Sequence, residues 1–446
     1  MGRRSHSRSL SLWTNGVRVG RWTIPTRGEM ELHYDAEWAA AALGRPLSLS
    51  LPFNLHNLPL KGEKVANYFA NLLPDSDTIR KRVAERFRTG STDPFDLLKA
   101  IGRDCVGAVQ ILGENETPEG FDRIEGTPLS EEAIERHLIE TVSPRAFGAG
   151  SDPDADFRIS LAGAQEKTAF LWWDGQWLAP HGATPTSHIF KLPLGRVGGR
   201  QADFTTSVDN EWLCLRLLKA YGLKVADARI ATFGKQRVLV VERFDRRVAP
   251  DGRWLMRLPQ EDFCQVEGCS PLRKYENEGG PGLKALFTTL RQSVDAEADM
   301  RTLMAAQVLF WLLRAPDGHA KNFSIQILPR GRFRLTRLYD VMSAYPVLGD
   351  GPHQWSSREI KLAMALPGKN KHYTMHAIRR RHFDSTAQKV GYAPNAEPVI
   401  EDILARTPAV IAEAQAQLPR DFSRRVAETV LGGLERAAAA LAAMGA

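Results

Sequence analysis

Asp317-Gly318-His319-Ala320-Lys321-Asn322, followed by the apolar, β-prone run 323–328, is the stretch from which the rest of this chain is best read. An acid and an amide five positions apart, at the entrance to a strand, suit a hydroxyl and a metal ion. In phosphoryl transfer an Asp of the catalytic loop takes the proton of the attacking hydroxyl, and an Asn further along the loop ligates Mg²⁺. Asp, Gly and Asn also cluster in ordinary turns for conformational reasons. The spacing alone leaves both readings open.

The flanks give the motif a setting. Residues 283–314 are strongly helical in pattern, and 300–313 is apolar almost all round, which predicts a buried helix that delivers Asp317. Downstream, 323–328 alternates, Pro329-Arg330-Gly331 turns the chain, and Phe333, Leu335 and Leu338 alternate again before Tyr339-Asp340. This predicts a hairpin that brings Asn322 and Asp340 to one sheet edge, where their oxygens could share Mg²⁺.

Further upstream, small residues, Gly163 and a Lys-Thr pair at 158–168 lie between two strands and could wrap phosphates with backbone N–H groups. Neither G-x-x-x-x-G-K-[ST] nor G-x-G-x-x-G is met, and a surface hairpin is the other reading. A strand over 187–192 carries Lys191, and an amphipathic helix over 207–221 carries Glu211 in an early turn and stops at Gly222. A strand lysine followed by a helix glutamate is the order of the ion pair that positions phosphates in protein kinases. A hairpin of 229–233 and 237–241 runs into Glu242-Arg243-Phe244, where the strand leaving a small kinase lobe would meet adenine. A solvated strand end with one buried Phe is the alternative.

The chain has 446 residues, 43% hydrophobic and 25% charged, enough for two or three cores. Its net charge of +7 favours anionic partners or simple solubility without choosing between them. Four cysteines with no C-x-x-C pair indicate neither a disulfide framework nor a zinc site, so a reducing cytoplasm is the expected location. No stretch approaches the ~18 apolar residues of a membrane span. The first residues, rich in Arg and Ser, read as a disordered basic tail. Strands around the turn Thr14-Asn15-Gly16, helices over 65–73, 76–87 and 93–101, and a buried strand over 105–112 make a small α/β domain. The last third is helical, with Ala-rich helices over 399–417 and 423–444. It is interrupted by 368–382, where Lys369, Lys371, Arg379, Arg380 and Arg381 could neutralise phosphates or simply form a solvated face.

With these stretches assembled, the chain resembles the HipA toxins, the kinase components of bacterial toxin–antitoxin pairs, from about residue 18 to about 419. The resemblance is carried in order by ISLAGAQEKT (159–168), HIFKLP (188–193), SVDNE (207–211), VERFDRR (241–247), LPQEDFCQ (258–265), YENEGGPG (275–282), DGHAKNFS (317–324) and YDVMSAYPVLG (339–349). It implies an α+β, protein-kinase-like two-lobed fold with a small N-terminal α/β domain and a helical C-terminal lobe. The implied units are a tail at 1–9, an N-terminal subdomain at 10–145, a small lobe at 146–245 and a catalytic lobe at 246–446.

The implied activity is serine/threonine protein phosphorylation with ATP and Mg²⁺. Asp317 would be the base, and Asn322 and Asp340 the metal ligands. Lys191 would bind phosphate, with Ala162, Gly163, Ala164, Gln165, Glu166 and Lys167 as the phosphate loop. Glu242, Arg243 and Phe244 would meet adenine, and His319, Ala320, Lys321, Asn322, Tyr339 and Asp340 would line the nucleotide site. Ser160 matches the serine these toxins phosphorylate on themselves, which expels the phosphate loop. Glutamyl-tRNA synthetase is the implied substrate, growth arrest the outcome, and a HipB-like helix-turn-helix antitoxin the partner. In that complex Lys369, Lys371, Arg379, Arg380 and Arg381 would meet operator DNA.

Pro316 stands where relatives usually carry a polar residue, and Lys321 lies four residues after Asp317, not two as in ordinary serine/threonine kinases. A small-molecule phosphotransferase of the aminoglycoside kind shares the Asp-x-x-x-x-Asn loop and a following metal Asp, and a non-enzymatic co-repressor would need only the basic surface. Ser160 in the phosphate loop favours a protein-directed kinase over the former, and intact Asp317, Asn322 and Asp340 argue against the latter as a full account.

Overall fold

Alternation of apolar and polar residues along the first strands leaves one face that must be covered. In the computed structural model, which describes residues 7–142, 160–163 and 165–445, that face closes a five-stranded antiparallel sheet. Its order is Leu60–Lys61, Glu31–Tyr34, Val17–Ile24, Arg8–Thr14, Gln110–Gly113. Leu10, Leu12, Val19, Trp22 and Leu32 are buried beneath it, and Trp22 stacks on Phe69 with ring centroids 3.8 Å apart. Asn15 and Gly16 adopt φ of 45° and 79°, the left-handed pair that a two-residue hairpin requires. The turn also docks the domain: Asn15 Nδ2 donates to the Arg257 carbonyl, and Arg257 N–H donates to Asn15 Oδ1, both at 2.9 Å.

The three helices form as Glu63–Ala70, Asp77–Phe87 and Pro94–Ile101. The strand expected over 105–112 is shorter, Gln110–Gly113. Residues ahead of it are held by side chains of the next domain. The Cys105 carbonyl accepts from Arg243 and Arg246, and Gly107 N–H donates to Asp245 Oδ2 at 2.7 Å.

A six-stranded antiparallel sheet follows, in the order Ala228–Phe233, Gln236–Glu242, His188–Lys191, Lys167–Trp173, Gln176–Pro180, Gly126–Pro128. Its last strand and the helix Glu131–Val142 lie ahead of the expected boundary at 146. Ile134 and Leu138 of that helix are buried with Phe170, Phe190 and Val238 of the sheet, so the small lobe begins with these elements.

The helix Ser207–Ala220 joins the small-lobe sheet to the large lobe, since one continuous core holds its Leu213, Leu217 and Leu218 together with Leu303, Leu309 and Leu312. Those last three belong to Ala296–Leu312, the buried helix expected to deliver Asp317. It packs among Leu283–Leu290, Glu397–Ala416 and Arg424–Ala442. A three-stranded sheet, Gln260–Asp262, Ser324–Ile327 and Phe333–Leu335, carries the hairpin that follows Asn322. The basic stretch 368–382 falls on the hairpin Lys361–Pro367 and Lys371–Thr374 and on the start of the helix Arg380–Lys389. No helix among the described residues is long and apolar enough to cross a membrane.

Candidate active site

Helix Ala296–Leu312 ends where Arg314 turns left-handed (φ 51°) and Ala315 N–H returns to the Phe310 carbonyl at 2.8 Å. Pro316 follows this stop, a position where proline is common because it cannot continue a helix. The chain then presses against the helix it has left: a Cβ on Gly318 would lie 2.4 Å from the Phe310 ring, so only glycine fits. The next turn folds back so that Asn322 Nδ2 donates to the Asp317 carbonyl at 2.6 Å. Asp317 keeps its side chain 41% exposed. Its Oδ1 accepts a hydrogen bond from the hydroxyl of Tyr275, and its Oδ2 accepts nothing from the described residues.

Asp340, at the end of the hairpin, is itself left-handed (φ 59°). Its Oδ1 accepts from Lys191 Nζ at 2.9 Å, and the same ammonium donates to Glu211 Oε1 at 2.6 Å. The helix that supplies Glu211 also clamps the chain beyond Asp340. Asn210 Nδ2 donates to the Ser343 carbonyl at 2.7 Å, and Ser343 N–H donates back to Asn210 Oδ1 at 2.9 Å.

Strand register places Lys167 directly opposite Lys191, so the two side chains leave the sheet on one face. Like charges in such a pair repel. Burial, and then Lys191, lower the Lys167 ammonium to about 8. Burial also opposes the charge on Lys191, but Asp340 and Glu211 outweigh it and keep that group protonated. Burial would raise the Asp340 carboxyl, yet Lys191 and Lys167 hold it at about 2. Lys167 Nζ donates to the Ala162 carbonyl at 2.6 Å, across Gly163, whose φ of 108° excludes other residues. These groups line a cavity of about 650 Å³ together with Phe244, His319 and Tyr339.

Ser160 is fully buried next to this loop, its hydroxyl donating to the Leu72 carbonyl at 2.7 Å and its N–H to the Asp104 carbonyl at 3.0 Å. Gln165 Nε2 donates to the Leu192 carbonyl at 2.5 Å, and Glu166 pairs with Arg82. Ala164 lies outside the described residues. Phe244 is half-buried and faces the Tyr339 ring at 5.8 Å, while Glu242 is exposed. Ala320 is buried in the turn between Asp317 and Asn322.

Several charged side chains among the expected residues are engaged by acids. Arg243 lines the cavity, but its guanidinium is buried against Asp104 and Asp245, which leaves its backbone as the part that could face a base. Lys321 lines the cavity as expected, and its buried Nζ donates to Asp262 Oδ2 and Asn71 Oδ1, both at 2.8 Å, which ties it to the N-terminal domain. Arg380 is buried and paired with Glu397 and Glu401, which removes it from any DNA-facing set. Lys371 is exposed but paired with Glu276 at 2.8 Å. Lys369, Arg379 and Arg381 are exposed.

Sequence patterns give no hint of Asn71 and Asp75, which reach the cavity wall from the N-terminal domain, and mark Tyr275 only as part of a Gly-rich loop.

Comparison with known proteins gives the family and the fold. The family model for the HipA N-terminal domain matches residues 10–112, and that for the HipA-like C-terminal domain matches residues 159–411. A Sinorhizobium fredii protein named as a kinase, Y4mE, is 33% identical over 398 residues, covering 86% of this chain and 91% of its own. The serine/threonine-protein kinase toxin HipA of Shewanella oneidensis is 27% identical over 377 residues, covering 80% and 78%. The solved structure of the Shewanella oneidensis MR-1 toxin–antitoxin system HipA, HipB and its operator DNA superposes with a TM-score of 0.77 at 22% identity, covering 98% of both chains. The fold is therefore the α+β, kinase-like one, and the chain belongs to the HipA family of serine/threonine-protein kinase toxins.

Proposed function

We propose that the cavity transfers the terminal phosphoryl group of ATP, with Mg²⁺, to a serine or threonine hydroxyl of a protein. The observation that carries this reading is Lys191 held between Glu211 and Asp340 in the same cavity as Asp317 and Asn322. The donor set fits the cofactors. Asp340 retains an oxygen that accepts nothing from the described residues, and Asn322 uses its amide N–H, not its oxygen, within the protein. Those two oxygens would hold Mg²⁺, whose charge offsets that of the phosphates during transfer.

Lys167 and Lys191, in register on one face, would grip the phosphates with two ammonium groups. The rings of Phe244 and Tyr339 give an apolar flank for a base. Asp317 Oδ2 would accept the proton of the incoming hydroxyl as its oxygen bonds phosphorus and the bond to the ADP oxygen breaks. Protein hydroxyl and ATP become phosphoprotein, ADP and one proton. Incubation of purified protein with γ-labelled ATP and Mg²⁺ should label protein, and Asp317→Asn should remove the label. Label retained by that variant would sink the assignment.

Ser160 is the proposed site of self-phosphorylation. About two negative charges on a hydroxyl now buried against Leu72 would be repelled from that position, and the loop that carries Lys167 would leave with it. Peptide mapping of the labelled protein tests this, with Ser160→Ala expected to remove the autophosphorylated peptide. A HipB-like antitoxin is the proposed partner, and operator DNA is proposed to meet Lys369, Arg379 and Arg381 in that complex, which the shared fold with the HipA–HipB–operator assembly supports. Glutamyl-tRNA synthetase is the proposed acceptor, on the family resemblance, and a cytoplasmic location follows from such partners. Comparison of phosphoproteins from cells expressing wild type and Asp317→Asn would identify the acceptor.

A further inference from the structure

We infer that the N-terminal domain supplies a positioning residue for transfer, Asp75, which acts through Lys274 and Tyr275 on the orientation of the Asp317 carboxylate; this rests on the role proposed above for Asp317. Asp75 lies beyond the helix Glu63–Ala70, in the small domain, yet it forms part of the cavity wall with a side chain only 9% exposed. Its N–H donates to the Gly163 carbonyl at 3.0 Å, which seats it on the phosphate loop. Its Oδ2 accepts from Lys274 Nζ at 2.9 Å, and its Oδ1 is buried without a hydrogen-bond partner among the described residues, 4.0 Å from Lys321 Nζ.

Lys274 is held at both ends. Its carbonyl accepts from Ala320 N–H at 3.3 Å, within the turn that links Asp317 to Asn322, while its ammonium is fixed to the N-terminal domain. The next residue, Tyr275, is anchored on its other side by its carbonyl, which accepts from Glu278 N–H at 3.1 Å and Gly280 N–H at 2.9 Å, so Lys274 fixes the N-terminal end of this turn. Its ring meets His319 edge-on at 4.9 Å, and its hydroxyl donates to Asp317 Oδ1. Burial, and then Asp317, push the Tyr275 phenol well above its usual range, so it stays a donor at any working pH.

One oxygen of Asp317 is thereby occupied while Oδ2 is left for the acceptor hydroxyl. A half-exposed carboxylate would otherwise rotate away from it, and misplacement of a reacting group by about 1 Å can cost on the order of a hundredfold in rate. Asp75 is in this sense an extension of the kinase site into a domain that holds none of the reacting groups.

The test uses the full-length protein, γ-labelled ATP and casein as a generic serine-containing acceptor. Tyr275→Phe and Asp75→Asn should each lower kcat roughly tenfold and leave KM for ATP within about twofold. The double variant should be no slower than the slower single, the signature of two residues acting in series, and Asp75→Glu should restore part of the rate. Asn71→Ala, which breaks a neighbouring bond to Lys321 without touching Lys274, should instead multiply with Tyr275→Phe. A raised KM for ATP at unchanged kcat, or losses at Asp75 and Tyr275 that multiply, would overturn the inference. Wild-type rates in both single variants with Asp317→Asn inactive would overturn it alone, whereas activity retained by Asp317→Asn would remove the reading on which it rests.

Discussion

Two of the buried ionic clusters among the described residues differ in what they leave unsatisfied. Between the N-terminal domain and the small lobe, Asp104, Asp245, Arg243, Arg246 and Arg257 are packed with side chains 1–6% exposed. Each carboxylate oxygen there accepts from a guanidinium or from a neighbouring N–H or hydroxyl. Of the surplus arginine N–H groups most go to the carbonyls of Cys105, Gly107, Thr186 and Ala183, and of this cluster's guanidinium nitrogens only Arg257 Nε is buried with no hydrogen-bond partner among the described residues. The second cluster, Lys167, Lys191, Glu211 and Asp340 beside Asp317, sets two ammoniums in register and keeps one oxygen each of Asp317 and Asp340 without a partner among the described residues. Burial and ion pairing are common to both. What separates a strut from a site is whether the charges close upon themselves or remain open toward a cavity.

That contrast can be broken experimentally. Because Asp317 is half-exposed and its loss leaves no buried charge behind, Asp317→Asn should reduce phosphoryl transfer by about 10²–10⁴-fold with no change in the urea midpoint. In the closed cluster the order reverses. Arg246→Ala leaves Asp104 and Asp245 buried with fewer partners and should cost roughly 3–5 kcal/mol of stability, read from urea unfolding, while protein that remains folded binds ATP normally. An Arg246→Ala protein as stable as wild type would remove the distinction drawn here.

Protons sharpen the same contrast. Burial lowers Lys167 to about 8 in the folded chain, against an ordinary lysine value of 10.5. Below pH 8 the group is charged in both folded and unfolded states. Between 8 and 10.5 the unfolded chain retains a proton that the folded chain has released, so stability should rise with pH across that window. Affinity for ATP should move the other way, falling by up to about tenfold per pH unit above 8 as the ammonium is lost. Lys167→Arg, which stays charged, should flatten both trends in a titration of nucleotide binding and unfolding from pH 7 to 10. Parallel trends for stability and affinity would show that Lys167 does not meet the phosphates.

Much of the open cluster was legible in the sequence because each member sits on a regular element. A buried helix ends before Asp317, an alternating hairpin joins Asn322 to Asp340, and a strand and the next helix carry Lys191 and Glu211. Period and order are enough to place such residues. The closed cluster was not legible, since Asp104 and Arg246 are 142 positions apart and nothing local marks either as buried. For the same reason residues 105–109 read as strand from their apolar character, although their backbone is bonded to arginines of another domain. Arg380 shows the converse error. Composition marks it as a free cation, and the long-range acids Glu397 and Glu401 take up its charge.

The smallest expected effect separates neighbours in one basic run. Arg379 and Arg381 are exposed, whereas Arg380 between them is buried on Glu397 and Glu401. If operator DNA meets this face in the antitoxin complex, Arg379→Ala and Arg381→Ala should each weaken binding modestly and for all sequences alike, and each should lower the slope of log affinity against log salt by about one. Arg380→Ala should leave that slope unchanged and instead loosen the packing of helix Arg380–Lys389 against Glu397–Ala416, seen as a lower unfolding midpoint. Side by side, the three substitutions repeat the comparison between the two clusters within three residues. Equal salt slopes for all three variants would mean that the closed pair at Arg380 opens on DNA.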